Sequence, residues 1–259
     1  MTIRSGRFLP LFTVLLACGP TGGERGELGN DRFFYACVDD ADAICDDVDL
    51  EAEPLSGIPR IALGARFGIE TEGRTTTARA VNDRLDEDPH GGREKAFTAL
   101  EPGWTTVMSV NDYGDAVDLV HVSVAETAAL ELSQREPTAE GWSQLGTGPL
   151  AIEKDHQMRV VPLDAEGAVL AGGLPMQWTA EPEGIVEFLP EKGNNVVTVR
   201  PVASGLVTVS VEVNEILTAS ADFDVSYGDG GGGAGGGGGD VGGGGGNVEG
   251  GGGAGGGQQ

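Results

Sequence analysis

The feature that most constrains the fold of this chain is a strict alternation of apolar and polar residues near its C-terminal end. Valines alternate with Thr, Ser and Glu over residues 207–213, and after Asn214-Glu215 apolar residues alternate with Thr, Ser and Asp over 217–225. Successive side chains of a β-strand point to opposite faces, so the pattern predicts a hairpin with one apolar and one polar face. A helical period of 3.6 residues would scatter the same valines around the axis. One apolar face per sheet requires a second sheet to cover it, which predicts a β-sandwich.

Shorter apolar stretches separated by turn residues extend this reading over most of the chain. They predict an all-β protein with two β-sandwich modules, residues 57–126 and 127–227. Predicted strands of the first module are 58–63, 66–70, 74–81, 96–100, 105–110 and 118–124, with a polar loop at 82–93. Further strands of the second module are predicted at 157–163, 176–180, 185–189 and 196–200.

Both ends of the chain differ from these modules. Residues 228–257 hold 22 of the 45 glycines, which predicts a disordered tail over 228–259. Residues 1–17 read as a secretory signal peptide, in which Arg4 and Arg7 precede an uncharged apolar run at 8–17. Ten residues cover about 15 Å of helix, about half of a bilayer core, so the run is too short to span a membrane.

The end of that run resembles the lipobox of bacterial lipoproteins. Leu15-Leu16-Ala17-Cys18 has an apolar residue three positions before the cysteine and a small one directly before it. The resemblance implies that Cys18 becomes the mature N-terminus and carries acyl chains, which anchor stably when there are two or three. Leu16 is larger than the family favours, and Gly19 is not the aspartate linked to inner-membrane retention, so the outer membrane is the expected location. The alternatives are an ordinary signal peptide with an accidental Cys18, or an N-terminal anchor.

The cysteine count agrees with this interpretation. The chain has three cysteines, and an odd number in an exported protein needs explanation. If Cys18 is lipidated, Cys37 and Cys45 remain as a pair, and export places them in an oxidising compartment. The sequence therefore predicts a Cys37–Cys45 disulfide, with two free thiols as the alternative.

Residues 18–30 are glycine-rich and predict a flexible tether, and 31–56 predict a small acidic cap stapled by the two cysteines. The cap holds a run of carboxylates, and hard oxygen ligands suit calcium. An EF-hand order is absent, since its glycine is missing. The run is interpreted either as a weak calcium site or as a solvated acidic surface; its residues are Asp39, Asp40, Asp42, Asp46 and Asp47.

The second module contains four short motifs in a fixed order: the turn Asp164-Ala165-Glu166-Gly167, the Trp178-bearing segment 176–179, the segment 181–186, and the closing segment 202–211. In this order the module resembles bacterial immunoglobulin-like domains of group 2, the intimin and invasin type. The resemblance covers about 80 residues and depends on order and spacing rather than on any single motif. It implies an Ig-like sandwich with Trp178 in the core, and the first module is a candidate for a second such domain.

Composition and motifs argue against several functions. The formal net charge is −25, which opposes binding to nucleic acid or to anionic lipid by charge. His90, His121 and His156 lie in different segments with no metal-ligand spacing, and no nucleophile elbow or phosphate-binding loop is present. We therefore expect no enzyme and no cofactor beyond the possible calcium. The prediction is a lipid-anchored envelope protein that presents Ig-like domains for binding or adhesion to a protein or glycan; the alternative is a structural or assembly lipoprotein facing the periplasm.

Overall fold

The computed structural model describes residues 23–45, 55–88, 94–135, 142–145, 150–152, 154–189 and 194–227. Regular structure in these residues is entirely β-strand, which confirms the all-β prediction. Several predictions fall outside the described residues, namely the signal peptide, the lipidated Cys18, His90, Asp46, Asp47 and the glycine-rich tail.

Among the described residues, the first sandwich has nine strands in two sheets. The five-stranded sheet has the order β1-β2-β4-β7-β6 and the four-stranded sheet the order β3-β9-β8-β5. Their bounds are β1 Glu24–Arg25, β2 Arg32–Ala36, β3 Ile61–Ala62, β4 Arg66–Thr71, β5 Thr76–Ala80, β6 Leu85–Glu87, β7 Glu94–Ala99, β8 Gly103–Asn111 and β9 Ala116–Ala125.

The second sandwich also has nine strands in the part of the chain that the structure describes. Its five-stranded sheet has the order β11-β10-β13-β16-β15 and its four-stranded sheet the order β12-β18-β17-β14. Their bounds are β10 Ala129–Arg135, β11 Ser143–Gln144, β12 Leu150–Ala151, β13 His156–Leu163, β14 Met176–Glu181, β15 Val186–Leu189, β16 Val196–Pro201, β17 Gly205–Val213 and β18 Leu217–Ser226.

The two sandwiches share one topology. In the first, β2-β4-β7-β6 faces β9-β8-β5, and in the second, β10-β13-β16-β15 faces β18-β17-β14. Both are the ABED and GFC sheets of the immunoglobulin fold. In both, a two-residue strand pairs in parallel with the end of the last strand, β3 with β9 and β12 with β18. The first sandwich is therefore Ig-like as well as the second.

The hairpin predicted over residues 207–225 is present with the predicted faces. Val207, Val209, Val211 and Val213 are buried, while the alternate positions are exposed or half-buried. At the turn, Asn214 and Glu215 adopt φ angles of 53° and 58°, as the backbone twist of tight hairpins requires.

The N-terminal boundaries differ from the prediction. Residues expected in the tether and the cap contribute β1 and β2, which pair with each other and, through β2, with β4. Phe33 and Tyr35 are buried in the core, so this segment supplies the first strand of an Ig-like sandwich. The sequence does not predict these strands because β1 has two residues and β2 has five, which is too short for a clear alternation of apolar and polar residues. Two smaller differences are that β6 lies in the predicted loop 82–93, and that the predicted strand 58–63 is reduced to β3.

The two sandwiches share a continuous core. Buried residues of both belong to one hydrophobic cluster, in which Ile61 and Ala65 of the first sandwich join Leu170, Ala171 and Leu174 of the second. The described residues between Gly23 and Tyr227 accordingly belong to one compact unit.

Candidate functional site

The junction between the sandwiches is built from backbone pairing. The loop 164–175 connects β13 to β14, and its residues Ala171 and Gly173 pair with residues 60–66 of the first sandwich. Ala171 accepts from the amide of Ala62 and donates to the carbonyl of Arg60, each over 2.9 Å, and Gly173 exchanges both hydrogen bonds with Arg66 over 2.8 Å. Each such bond contributes about 0.5–1.5 kcal/mol net. Four backbone hydrogen bonds across two isolated β-bridges therefore hold the two sandwiches together.

Two glycines allow the loop 164–175 to pack this closely against the first sandwich. Gly172 has a φ of +96°, and a Cβ there would lie 2.7 Å from the Cβ of Ala65. A Cβ on Gly173 would lie 2.3 Å from the carboxylate carbon of Asp39. Both distances are far below a van der Waals contact, so the junction requires residues without side chains at these positions.

An ion pair supports the same junction. Asp164 begins the turn that the family resemblance identified, where it accepts from the amides of Ala168 over 2.8 Å and Glu166 over 3.0 Å. Arg60 of the first sandwich also donates to its carboxylate. The amide of Ala168 and the guanidinium of Arg60 together hold the pKa of Asp164 below its ordinary value, although desolvation opposes them. The turn that begins at Asp164 in the second sandwich therefore also contacts the first sandwich.

The loop 37–45 closes one side of the junction. A disulfide joins Cys37 and Cys45, as predicted. Inside the loop, buried Asp42 accepts from the hydroxyl of Tyr35 and from the amide of Ile44, the latter over 3.1 Å. Desolvation raises the pKa of Asp42, and desolvation together with the nearby Asp42 charge raises the pKa of Tyr35 well above 10.0. Asp42 therefore serves the packing of this loop.

Removing the disulfide tests how much the loop contributes to stability. The double change Cys37→Ser and Cys45→Ser is expected to lower the free energy of unfolding by about 2–3 kcal/mol, because the unfolded chain regains the freedom of a short closed loop. Urea denaturation measures the effect. Reductant should destabilise the wild type equally and leave the double variant unchanged; equal stability of wild type and variant would contradict this role.

The contacts of the acidic run favour a structural role for two of its residues. Asp42 is buried against Tyr35, Asp39 accepts from the amide of Ala41 over 2.9 Å, and Asp40 is exposed. In the described part of the chain, no three His, Cys, Asp or Glu residues are placed to hold a metal ion. Asp46 and Asp47 lie outside that part, so calcium binding by the run stays a prediction.

Asp118 is a buried structural carboxylate that the sequence pattern does not single out. It lies in β9 and is 1% exposed. Its oxygens accept from the amides of Leu28, Asn30, Asp31 and Leu119 over 2.6–2.9 Å. Burial by itself raises the pKa of Asp118, but these four amides outweigh it, and the pKa lies below the ordinary 3.8. Asp118 thus fixes the segment 26–31, which covers the end of the predicted tether and the first residue of the predicted cap, onto the first sandwich.

The remaining predicted residues fall at separate places. Trp178 is fully buried and donates from its indole nitrogen to the carbonyl of Asn194 over 2.9 Å, with Phe188 packed beside it. This is the core position that the family resemblance implies. His121 is exposed on β9 and His156 begins β13, so these two histidines do not share a site. None of the described residues forms a helix long and apolar enough to cross a membrane.

No family model matches the chain, and no curated protein matches it. Among solved structures, the adhesin InvE of Yersinia pseudotuberculosis is 13% identical with a TM-score of 0.32, covering 80% of this chain and 62% of its own. The Escherichia coli adhesin FdeC is 15% identical with a TM-score of 0.31, covering 65% and 62%.

A glycosyl hydrolase family 2 member of Bacteroides cellulosilyticus is 12% identical with a TM-score of 0.31, and the likeness covers 76% of this chain but 28% of that one. The chain thus spans less than two thirds of the length of each of these proteins. With TM-scores near 0.3, the likenesses carry no information on function.

Proposed function

We propose that this protein is a non-catalytic, lipid-anchored protein of the bacterial cell envelope that presents two rigidly joined Ig-like sandwiches for binding. The observation that carries the proposal is the junction. Backbone pairing of residues 171–173 with 60–66 and the Arg60–Asp164 ion pair fix one sandwich on the other, as suits a scaffold that displays surfaces at a set distance from an anchor.

The buried carboxylates support a binding role over a catalytic one. Asp118, Asp164 and Asp42 are each engaged by backbone amides, by Arg60 or by Tyr35. Such groups hold loops and strands in place. Catalytic carboxylates instead converge on a pocket where a reacting atom can sit.

The position of the first strand restricts how far the protein extends from its proposed anchor. β1 begins at Glu24, so the chain between Cys18 and the fold is about six residues, or at most about 20 Å when extended. The tether is shorter than the segment 18–30 suggested. On this proposal the first sandwich lies close to the membrane surface.

Cell fractionation tests the anchor. Wild-type protein is expected in the membrane fraction, and Cys18→Ala is expected in the soluble fraction or as unprocessed precursor, because it lacks the sulfur that carries the acyl chains. The Cys37→Ser and Cys45→Ser double variant is the matched control and should remain in membranes. Equal distribution of wild type and Cys18→Ala would contradict the anchor.

A further inference from the structure

The outer face of the four-stranded sheet of the first sandwich has an unusual composition for so acidic a protein. Alternation places one set of residues on this face, from β5, β8 and β9, and none of them is Asp or Glu. The set is Thr77, Arg79, Trp104, Thr106, Met108, Val117, Leu119, His121, Ser123 and Ala125. Apolar side chains make up half of it.

The equivalent sheet of the second sandwich provides an internal comparison. Its strands β14, β17 and β18 carry Glu181, Glu212, Asp222 and Asp224 and no Lys or Arg. Both faces come from the same topology in one chain, at the same net charge. The absence of carboxylates on the first face is therefore not a consequence of the fold.

Two matched positions show the difference most clearly. The strands β8 and β17 both begin with a glycine of positive φ, followed by Trp104 in one and Leu206 in the other. Two residues later, Thr106 is paired across the sheet with His121, and Thr208 with Asp222. In the first case the threonine Oγ lies 3.1 Å from His121 Nδ1, and in the second Thr208 donates to the carboxylate over 2.6 Å.

Trp104 is the most distinctive group of this face. Its side chain is 69% exposed on a regular strand, opposite Ser123 and next to the Thr106–His121 pair. A tryptophan ring that remains in water exposes a large apolar surface without benefit to the fold. A flat aromatic ring bordered by hydroxyl and imidazole groups matches a sugar, which has an apolar C–H face and a rim of hydroxyls.

The size of the face opposes a second copy of the chain as its occupant. Residues 117–123 extend over about 20 Å, and three strands are about 15 Å wide, so the area is about 300 Å². A stable protein interface covers about 800 Å² on each partner. A few sugar rings in a row fit the smaller area.

The charges on the face favour a neutral ligand. Arg79 is paired with Glu87 of β6, with 2.6 Å between Nη1 and Oε1, so its charge is balanced within the protein. The net charge of −25 repels an anionic polymer at long range. We propose that this face binds a neutral glycan, with a sugar ring stacked on Trp104 and its hydroxyls hydrogen-bonded by His121, Thr106 and Ser123. This names a ligand class for the binding role proposed above and rests on that role, but not on the lipid anchor.

The test uses the full chain carrying Cys18→Ala, so that acyl chains do not contribute to binding. The probes are an array of neutral oligosaccharides of hexoses and N-acetylhexosamines, followed by calorimetric titration of each sugar that binds. Trp104→Leu, which copies the second sandwich, is expected to weaken binding at least tenfold, and His121→Asp should also weaken it. Leu206→Ala is the matched control on the equivalent strand and should leave both affinity and thermal midpoint unchanged.

Three outcomes would overturn the proposal. The first is that no neutral sugar on the array binds, and the second is that Trp104→Leu binds as well as its parent while remaining folded. The third is that vesicles of phosphatidylethanolamine and phosphatidylglycerol, or a second copy of the chain, bind through Trp104 while sugars do not. Every protein in this test lacks the acylated cysteine. A negative binding result therefore does not contradict the lipid anchor, and a negative result for the anchor does not affect the measured sugar affinity.

Discussion

Replacing Asp118 with alanine is expected to lower the free energy of unfolding by about 3–5 kcal/mol. The change removes the acceptor of the amides of Leu28, Asn30 and Asp31, which are partly or fully buried against β9. Hydrogen bonds to a charged acceptor are each worth about 1.5–3 kcal/mol, and donors that stay buried lose them outright. The segment 26–31 should detach, and β1 with it.

Urea denaturation and hydrogen exchange measure these two effects. The amides of Leu28, Asn30 and Asp31 should lose protection first. Asp112→Ala is the matched control, because Asp112 is exposed in the β8–β9 turn and should change stability by less than about 0.5 kcal/mol. A similar small effect at Asp118 would show that its hydrogen bonds do not hold the segment.

The same carboxylate predicts a pH dependence. The pKa of Asp118 is lower in the folded state than its ordinary 3.8, so its contribution is complete above that value and is lost as the pH falls through the folded pKa. The stability difference between wild type and Asp118→Asn should therefore be largest near neutral pH and shrink in acid. A difference that is constant from pH 7 to pH 2 would contradict the assignment.

Gly172→Ala is expected to destabilise the protein by about 3–5 kcal/mol. The substitution adds the strain of an L-residue at a φ of +96° to an overlap with the Cβ of Ala65, which is fully buried between β3 and β4. The loop 171–173 must then move from residues 60–66, so cleavage by a Glu-specific protease at exposed Glu126 should accelerate as well.

Gly167→Ala separates the effect of backbone strain from the effect of steric overlap. Gly167 has a φ of +80°, but a Cβ there meets no atom within 4 Å. We therefore expect it to cost only the backbone strain, about 1–2 kcal/mol, without faster cleavage at Glu126. Equal effects of the two substitutions would show that close packing at the junction does not contribute.

The sequence predicted those parts of the fold that depend on local alternation. A period of two residues is enough to predict the strand that holds Val207 to Val213 and its partner strand. The order of motifs in a family pattern identifies Asp164 and Trp178. The Cys37–Cys45 pair followed from counting cysteines. Each of these signals lies within a short stretch of chain.

The contacts that the sequence did not predict join residues far apart in the chain. Asp118 meets residues about 90 positions earlier, and Arg60 meets Asp164 more than 100 positions later. The one local signal for Asp118 was a charged residue on the inward face of an otherwise apolar strand, beside Val120 and Val122. Similarly, Trp104 stands out only by comparison with Leu206 at the equivalent position of β17, and the sequence does not show that β8 and β17 are equivalent strands.

The intact mass of the mature protein tests the central claim most directly. Protein extracted from membranes is expected to begin at Cys18 and to exceed the mass of residues 18–259 by that of two or three acyl chains with their glyceryl link. A mature chain that begins elsewhere, or one that begins at an unmodified Cys18, would contradict the lipid anchor and with it the proposed place of the two sandwiches at the membrane surface.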